Sequence, residues 1–184
     1  MERRGKSSSL VILVFFIPLL IWSIIQFIAP LALPSNSVDD LSGVTGILDN
    51  KEITDSMPGP WNSVYSIGDR LCHQKADRSF FINGNQMPFC SRCTAIWLGL
   101  AIGLGFMVFY KINLDEKFVF VLIAAVVPIG IDGVGQLLGL WESTNLIRAI
   151  TGIIVGIACG AAIGVIIDEI KDMIYSKKHK IFNK

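Results

Sequence analysis

The sequence is poor in charge. Asp, Glu, Lys and Arg make up 17% of its 184 residues, against roughly 25% in a typical soluble domain. The net charge is only +1, so no bulk basic field marks a nucleic-acid binder. Signatures of several common enzyme classes are missing. The glycines lie within apolar runs and not between a strand and a helix, so there is no phosphate-binding glycine loop. There is no serine-centred hydrolase elbow and no His-Glu-x-x-His pair. Internal repeats and low-complexity tracts are also absent.

Hydrocarbon is what the chain has in abundance: 52% of residues are hydrophobic and the mean hydropathy is +0.58. Four apolar runs approach the roughly 20 residues that cross a bilayer. They cover about Leu10 to Leu33, Cys93 to Tyr110, Phe118 to Leu140 and Leu146 to Ile167. The first follows Arg3, Arg4 and Lys6 as a signal peptide would. Its apolar run is about twice the usual 7–15 residues and no small-x-small cleavage site follows, so a retained helix is expected. The pattern predicts an all-α integral membrane protein, a four-transmembrane-helix bundle with a long extracytoplasmic loop between the first and second spans. Gly152, Gly156, Gly160 and Gly164 recur every four residues on the last span, a spacing that lets membrane helices approach closely.

Basic residues set the expected orientation. Arg3, Arg4 and Lys6 precede the first span, Lys111 and Lys117 bracket the link between the second and third, and Lys171, Lys177, Lys178 and Lys180 follow the fourth. With four spans all three groups lie on one side, so both termini are expected in the cytoplasm of a multi-pass cell-membrane protein. The chain then divides into residues 1–33, a cytoplasmic N-terminus and first span; 34–88, an extracytoplasmic loop; 89–170, a three-helix membrane core; and 171–184, a basic cytoplasmic tail. In the loop, Asp49 to Asp55 is read as a short surface helix. The apolar content rising from Tyr65 predicts that the loop packs back on the membrane surface.

The densest chemistry is LCHQKADRSFFINGNQMPFCSRCTAIWLG, from Leu71 to Gly99. Cys72 and His73 are adjacent, and Cys90 and Cys93 form a Cys-x-x-Cys pair. Asn83-Gly84 is a strong hairpin-turn signal that would fold the two pairs together. Three readings compete. Three thiolates and an imidazole suit tetrahedral Zn²⁺, although side chains of neighbours in extended backbone point apart. Thiol–disulfide exchange is the second, helped by a helix N-terminus and Arg92, both of which favour thiolate. A disulfide stapling the loop of a non-catalytic scaffold is the third. Cys159, mid-span, reads as a small buried apolar residue.

Polar residues inside the spans form a second candidate site: Asp132 and Gln136 on the third span, Arg148 at the start of the fourth. Intramembrane carboxylates are costly and must face protein or water. Arg148 is expected either to approach Asp132 or to turn outward to Glu142. In an enzyme Asp132 would be the acid or base, Gln136 its neighbour on the same face, and Arg148 an anion clamp. The expected partners are the lipid bilayer and an unidentified small-molecule or lipid substrate.

The series Cys-His-Gln at 72–74, Arg78 with two phenylalanines, CSRCTAIWLG, DGVGQLLG, ESTNLIR and TGIIVG resembles a family of predicted prokaryotic membrane proteins classed as a domain of unknown function. The resemblance covers about Leu71 to Gly160. It maps the family's motif onto Cys72, His73, Gln74, Arg78, Cys90, Arg92, Cys93, Asp132, Gln136, Asn145 and Arg148, and implies no activity. The acid and glutamine followed by Asn and Arg also resemble, loosely, the membrane family of teicoplanin-resistance proteins.

Overall fold

The computed structural model describes the backbone of residues 2–3 and 6–182 and the side chains of residues 10–174 and 176. The side chains of Arg3, Lys6, Lys177, Lys178 and Lys180, and all of Arg4, lie outside the described residues. Four long helices dominate: α1 (Lys6–Ala32), α4 (Ser91–Phe109), α5 (Glu116–Leu137) and α6 (Asn145–Phe182). Each contains a stretch long and apolar enough to cross a membrane: Leu10–Ala32, Ser91–Phe109, Glu116–Leu137 and Asn145–Ile174. The 19 residues of α4 span about 28 Å at 1.5 Å per residue, close to the thickness of a hydrocarbon core. The last helix runs on through Phe182, well beyond its apolar part.

The glycine stripe has a definite partner. It meets α4, whose Gly99 and Gly103 face it. A Cβ on Gly156 would lie 2.5 Å from the Ile96 carbonyl oxygen, and one on Gly103 would lie 2.1 Å from that of Ile157. The two backbones are therefore in direct contact, which only hydrogen side chains permit. Ser23 and Gln26 of α1 are buried on the side facing α4, and Ser23 Oγ donates to the Trp97 carbonyl at 3.0 Å. By contrast α5 is peripheral: only Asp132 and Gly135 of its residues are buried.

Two ends of the bundle are distinct. At one, the strand β1 (Glu2–Arg3) pairs antiparallel with β4 (Tyr110–Lys111), and Lys111 Nζ meets Asp172 at 2.9 Å. The N-terminal segment, the α4–α5 link and the distal part of α6 therefore share this end. The loop of residues 33–90 covers the other. It carries α2 (Lys51–Ser56), α3 (Trp61–Leu71), a 3₁₀ turn at Ala76–Arg78 and the hairpin β2 (Phe81–Ile82) and β3 (Asn85–Gln86). The Asn83-Gly84 turn has φ of 57° and 73°, both left-handed as a type I′ turn requires. The short helix α2 overlaps the stretch read as one from sequence, Asp49 to Asp55, and ends one residue past it.

This loop is a built structure with its own core. Val38, Leu41, Met57, Val64 and Tyr65 cluster with Ala29 and Leu33 at the end of α1. Two buried amides organise the rest. Asn85 Oδ1 accepts from the backbone N–H groups of Ser37 and Val38, and its Nδ2 donates to the Pro30 and Pro34 carbonyls. Gln86 accepts from Leu41 N–H and donates to the Gln74 carbonyl and to Ser79 Oγ. Each satisfied group avoids a penalty of about 1–3 kcal/mol for burial without a partner.

Candidate metal centre and arginine cavity

One close contact assembles the site. A Cβ on Gly68 of α3 would lie 2.0 Å from the Pro88 carbonyl oxygen. That oxygen also accepts a 2.7 Å hydrogen bond from Gln74 Nε2. Gly68 and Gln74 thus clamp the segment leading into α4 against the end of α3. Cys72 is the residue that caps α3, and Cys90 the residue that caps α4. The clamp brings these two helix ends together, and Cys93 follows one turn into α4. The sulfurs of Cys72, Cys90 and Cys93 all lie within 4.8 Å of one another. The Cys90 N–H donates to Cys72 Sγ at 3.4 Å. All four cysteines of the chain are thiols, and Cys159 is remote in α6.

The electrostatics favour charge on Cys90. Its thiol is held far below the usual range because it accepts hydrogen bonds from Cys72 and Cys93, with the free N–H groups of the α4 N-terminus adding to the effect. Cys72 is pushed up, chiefly because it donates to Cys90 and further by burial. Three sulfurs this close together could hold a metal ion.

His73 does not join the sulfurs. Its exposed ring hydrogen-bonds Thr45 Oγ1 at 3.1 Å. The reason is local: Cys72 is extended, at φ −141° and ψ 146°, so consecutive side chains diverge. His73 instead lines the mouth of a cavity of about 370 Å³ that the three thiols also line. Its remaining charged walls are Lys75, Arg78, Arg92 and Arg148.

The intramembrane polar residues stand beside this cavity, paired differently from the expectation. Asp132 is bound by Arg92 of the first turn of α4, neither by Arg148 nor with Arg148 turned to Glu142. Gln136 Nε2 and Trp141 Nε1 also donate to the Asp132 carboxylate, at 3.1 and 3.5 Å. Arg148 donates to Gln136 Oε1 at 3.0 Å and to Asn145 Oδ1 at 3.2 Å. Gln136 lies one turn nearer the loop than Asp132 and so meets Arg148 first. Trp141 reaches Asp132 because the chain turns back at Gly139, two residues past the end of α5, where φ is 69°. Its ring then lies against Gly135, where a Cβ would be 2.0 Å from it. Asn145 ties this network to the loop by donating to the Ser79 carbonyl at 3.2 Å. The roles of Gly68 and Trp141 had no sequence signal beyond their residue types.

The model of a family described as "Predicted membrane protein (DUF2085)" matches residues 72–162, from the first cysteine to the glycine stripe of α6. An uncharacterized protein of Methanocaldococcus jannaschii is 42% identical over 96 residues, covering 50% of this chain and 61% of the relative. Another, of Methanothermobacter thermautotrophicus, is 37% identical over 87 residues, covering 47% of this chain and 78% of the relative. The match thus spans about three fifths of the first relative's length. No solved structure matches.

Proposed function

We propose, from the premise that the chain belongs to the DUF2085 family of predicted membrane proteins, that it is a metal-binding membrane protein. In this reading Cys72, Cys90 and Cys93 hold Zn²⁺ at the loop end of the bundle. The observation that carries it is the convergence of three sulfurs, from two separate stretches of chain, to within 4.8 Å. Zn–S bonds of 2.3 Å in a tetrahedron put sulfurs about 3.8 Å apart, a change within reach of cysteine rotamers. The thiolate tendency of Cys90 and the N–H donated to Cys72 fit a metal-bound set, in which ligand sulfurs are stabilised by such outer contacts.

A fourth ligand would come from the cavity that the three thiols line. If His73 swings in from Thr45 it closes the site and the metal is structural. If the position stays open it takes water or substrate, as catalytic zinc sites do, and the protein is a metalloenzyme. Asp132 and Gln136 are then positioning residues, since they orient Arg92 and Arg148, and Arg148 is the group that faces an anion. In this reading the termini are cytoplasmic and the cavity faces outward; the basic clusters and the end shared by the N-terminal segment, the α4–α5 link and distal α6 support it.

Elemental analysis of protein purified without chelators tests the reading. About one equivalent of zinc is expected, lost in Cys72→Ser and kept in Cys159→Ser. Metal-free protein with a reducible Cys90–Cys93 bond would replace this reading with membrane thiol–disulfide exchange.

A further inference from the structure

Arg148 is only 3% exposed, yet it has no carboxylate partner among the described residues. Its guanidinium meets two neutral amide oxygens. A buried cation without a counter-charge is costly, and this one lines an open cavity. Arg78, Arg92 and Lys75 line the same cavity, and among the described residues no acidic one does. Asp132 neutralises Arg92, and the exposed Asp77 stands 3.5 Å from Arg78. The Nε of Arg92 is buried without a hydrogen-bond partner, and the buried Nε of Arg78 has only the ion-pair contact with Asp77. A Zn²⁺ with three thiolates would add a single negative charge, so a positive excess remains with or without metal. Three guanidiniums lining one cavity suit a compact anion with several oxygens, and phosphate fits best.

A second observation concerns the rest of the ligand. An almost wholly apolar groove of about 340 Å³ adjoins the cavity, lined by Leu19, Trp22, Ile67, Leu71 and Trp97. Leu71 belongs to both walls. The groove runs from there along α1 and α4, in the membrane-spanning part of the molecule. Trp22 and Trp97 meet edge-to-face at 6.1 Å within it. A charged cavity continuous with an apolar membrane groove has the shape of an amphiphile.

We infer that cavity and groove together bind a lipid carrying a phosphate headgroup, with the phosphate among Arg78, Arg92 and Arg148 and a hydrocarbon chain along Trp22 and Trp97. The inference deepens the reading of the cavity given above and rests on it for the identity of the working face. The two fail separately, because lipid binding is read by fluorescence and zinc by elemental analysis.

The test uses the full chain in nanodiscs of phosphatidylcholine, titrated with phosphatidic acid brominated on its acyl chains. Bromine quenches tryptophan fluorescence at contact, and Trp22 and Trp97 line the groove. Saturable quenching is expected, at least about tenfold tighter than with brominated phosphatidylcholine. In Arg78→Gln, on a half-exposed turn, that preference should fall by about tenfold. Trp22→Phe should lower the quenching amplitude. Equal, non-saturable quenching by the two lipids would overturn the inference. So would inorganic phosphate displacing the brominated lipid at the lipid's own affinity, since the headgroup alone would then be the ligand. Phosphatidic acid preference in zinc-free protein supports the inference and sinks only the metal reading.

Discussion

Replacing Gly68 with alanine should dismantle the thiol cluster without touching a sulfur. The added Cβ would stand 2.0 Å from the Pro88 oxygen and 2.7 Å from Gln74 Nε2. Contacts below 3.0 Å are essentially never seen for real Cβ atoms, so α3 and the Pro88 segment must part by roughly 1 Å. The atom met is a backbone carbonyl, which cannot swing aside. Overpacking of this kind costs about 1–3 kcal/mol. Stretching the buried Gln74–Pro88 hydrogen bond adds about 1 kcal/mol, giving roughly 2–4 kcal/mol in all. The larger effect is on the site. Cys72 lies four residues beyond Gly68 and Cys90 two beyond Pro88, so the shift passes directly into their separation. Metal sites tolerate distance errors of about 0.2 Å. Zinc content of purified Gly68→Ala should fall well below one equivalent, with a lowered melting temperature in detergent. The control is Gly130→Ala, on α5, where a Cβ meets nothing within 4 Å; it should alter neither. Full zinc occupancy and an unchanged melting temperature in Gly68→Ala would refute the clamp.

Three further outcomes follow from the packing and the charges. Asp132→Asn removes the carboxylate that Arg92 binds and should cost about 3 kcal/mol, because a mostly buried guanidinium is left unpaired. The double variant with Arg92→Gln should regain more than half of it, measured by thermal unfolding; a strictly additive loss would show the pair to be unimportant. Gly156→Val, with its Cβ 2.5 Å from the Ile96 oxygen, should separate α4 from α6 and lower the melting temperature more than any single loop variant. Lys111 pairs with Asp172 and its amine is held above the usual lysine range by that hydrogen bond. The pair's stabilisation is therefore full below the ordinary lysine pKa and is lost as pH rises past the raised value. Both side chains are well exposed, so Lys111→Ala should cost less than about 1 kcal/mol at neutral pH and nothing above that window, by denaturation at the two pH values.

The four spans were legible because length and hydropathy are properties of consecutive residues. Within the spans, so was the glycine stripe, and in the loop the Asn83-Gly84 hairpin and the α2 segment, each a local signal. The cysteines could be grouped from spacing alone. The structure gathers the three sulfurs and leaves His73 on Thr45, where the extended backbone at Cys72 sends it. Partner choice was also beyond the sequence. Asp132 binds Arg92 and not Arg148, and the α6 stripe meets α4 although α5 is its neighbour in the chain. Those outcomes depend on how each helix is rotated about its axis and on how deeply it is set against the next. Rotation and depth are fixed by contacts between residues far apart in sequence, such as Gly68 on Pro88 and Gly99 on Gly156. A single chain shows what each helix can bury; only the assembled bundle decides which face meets which.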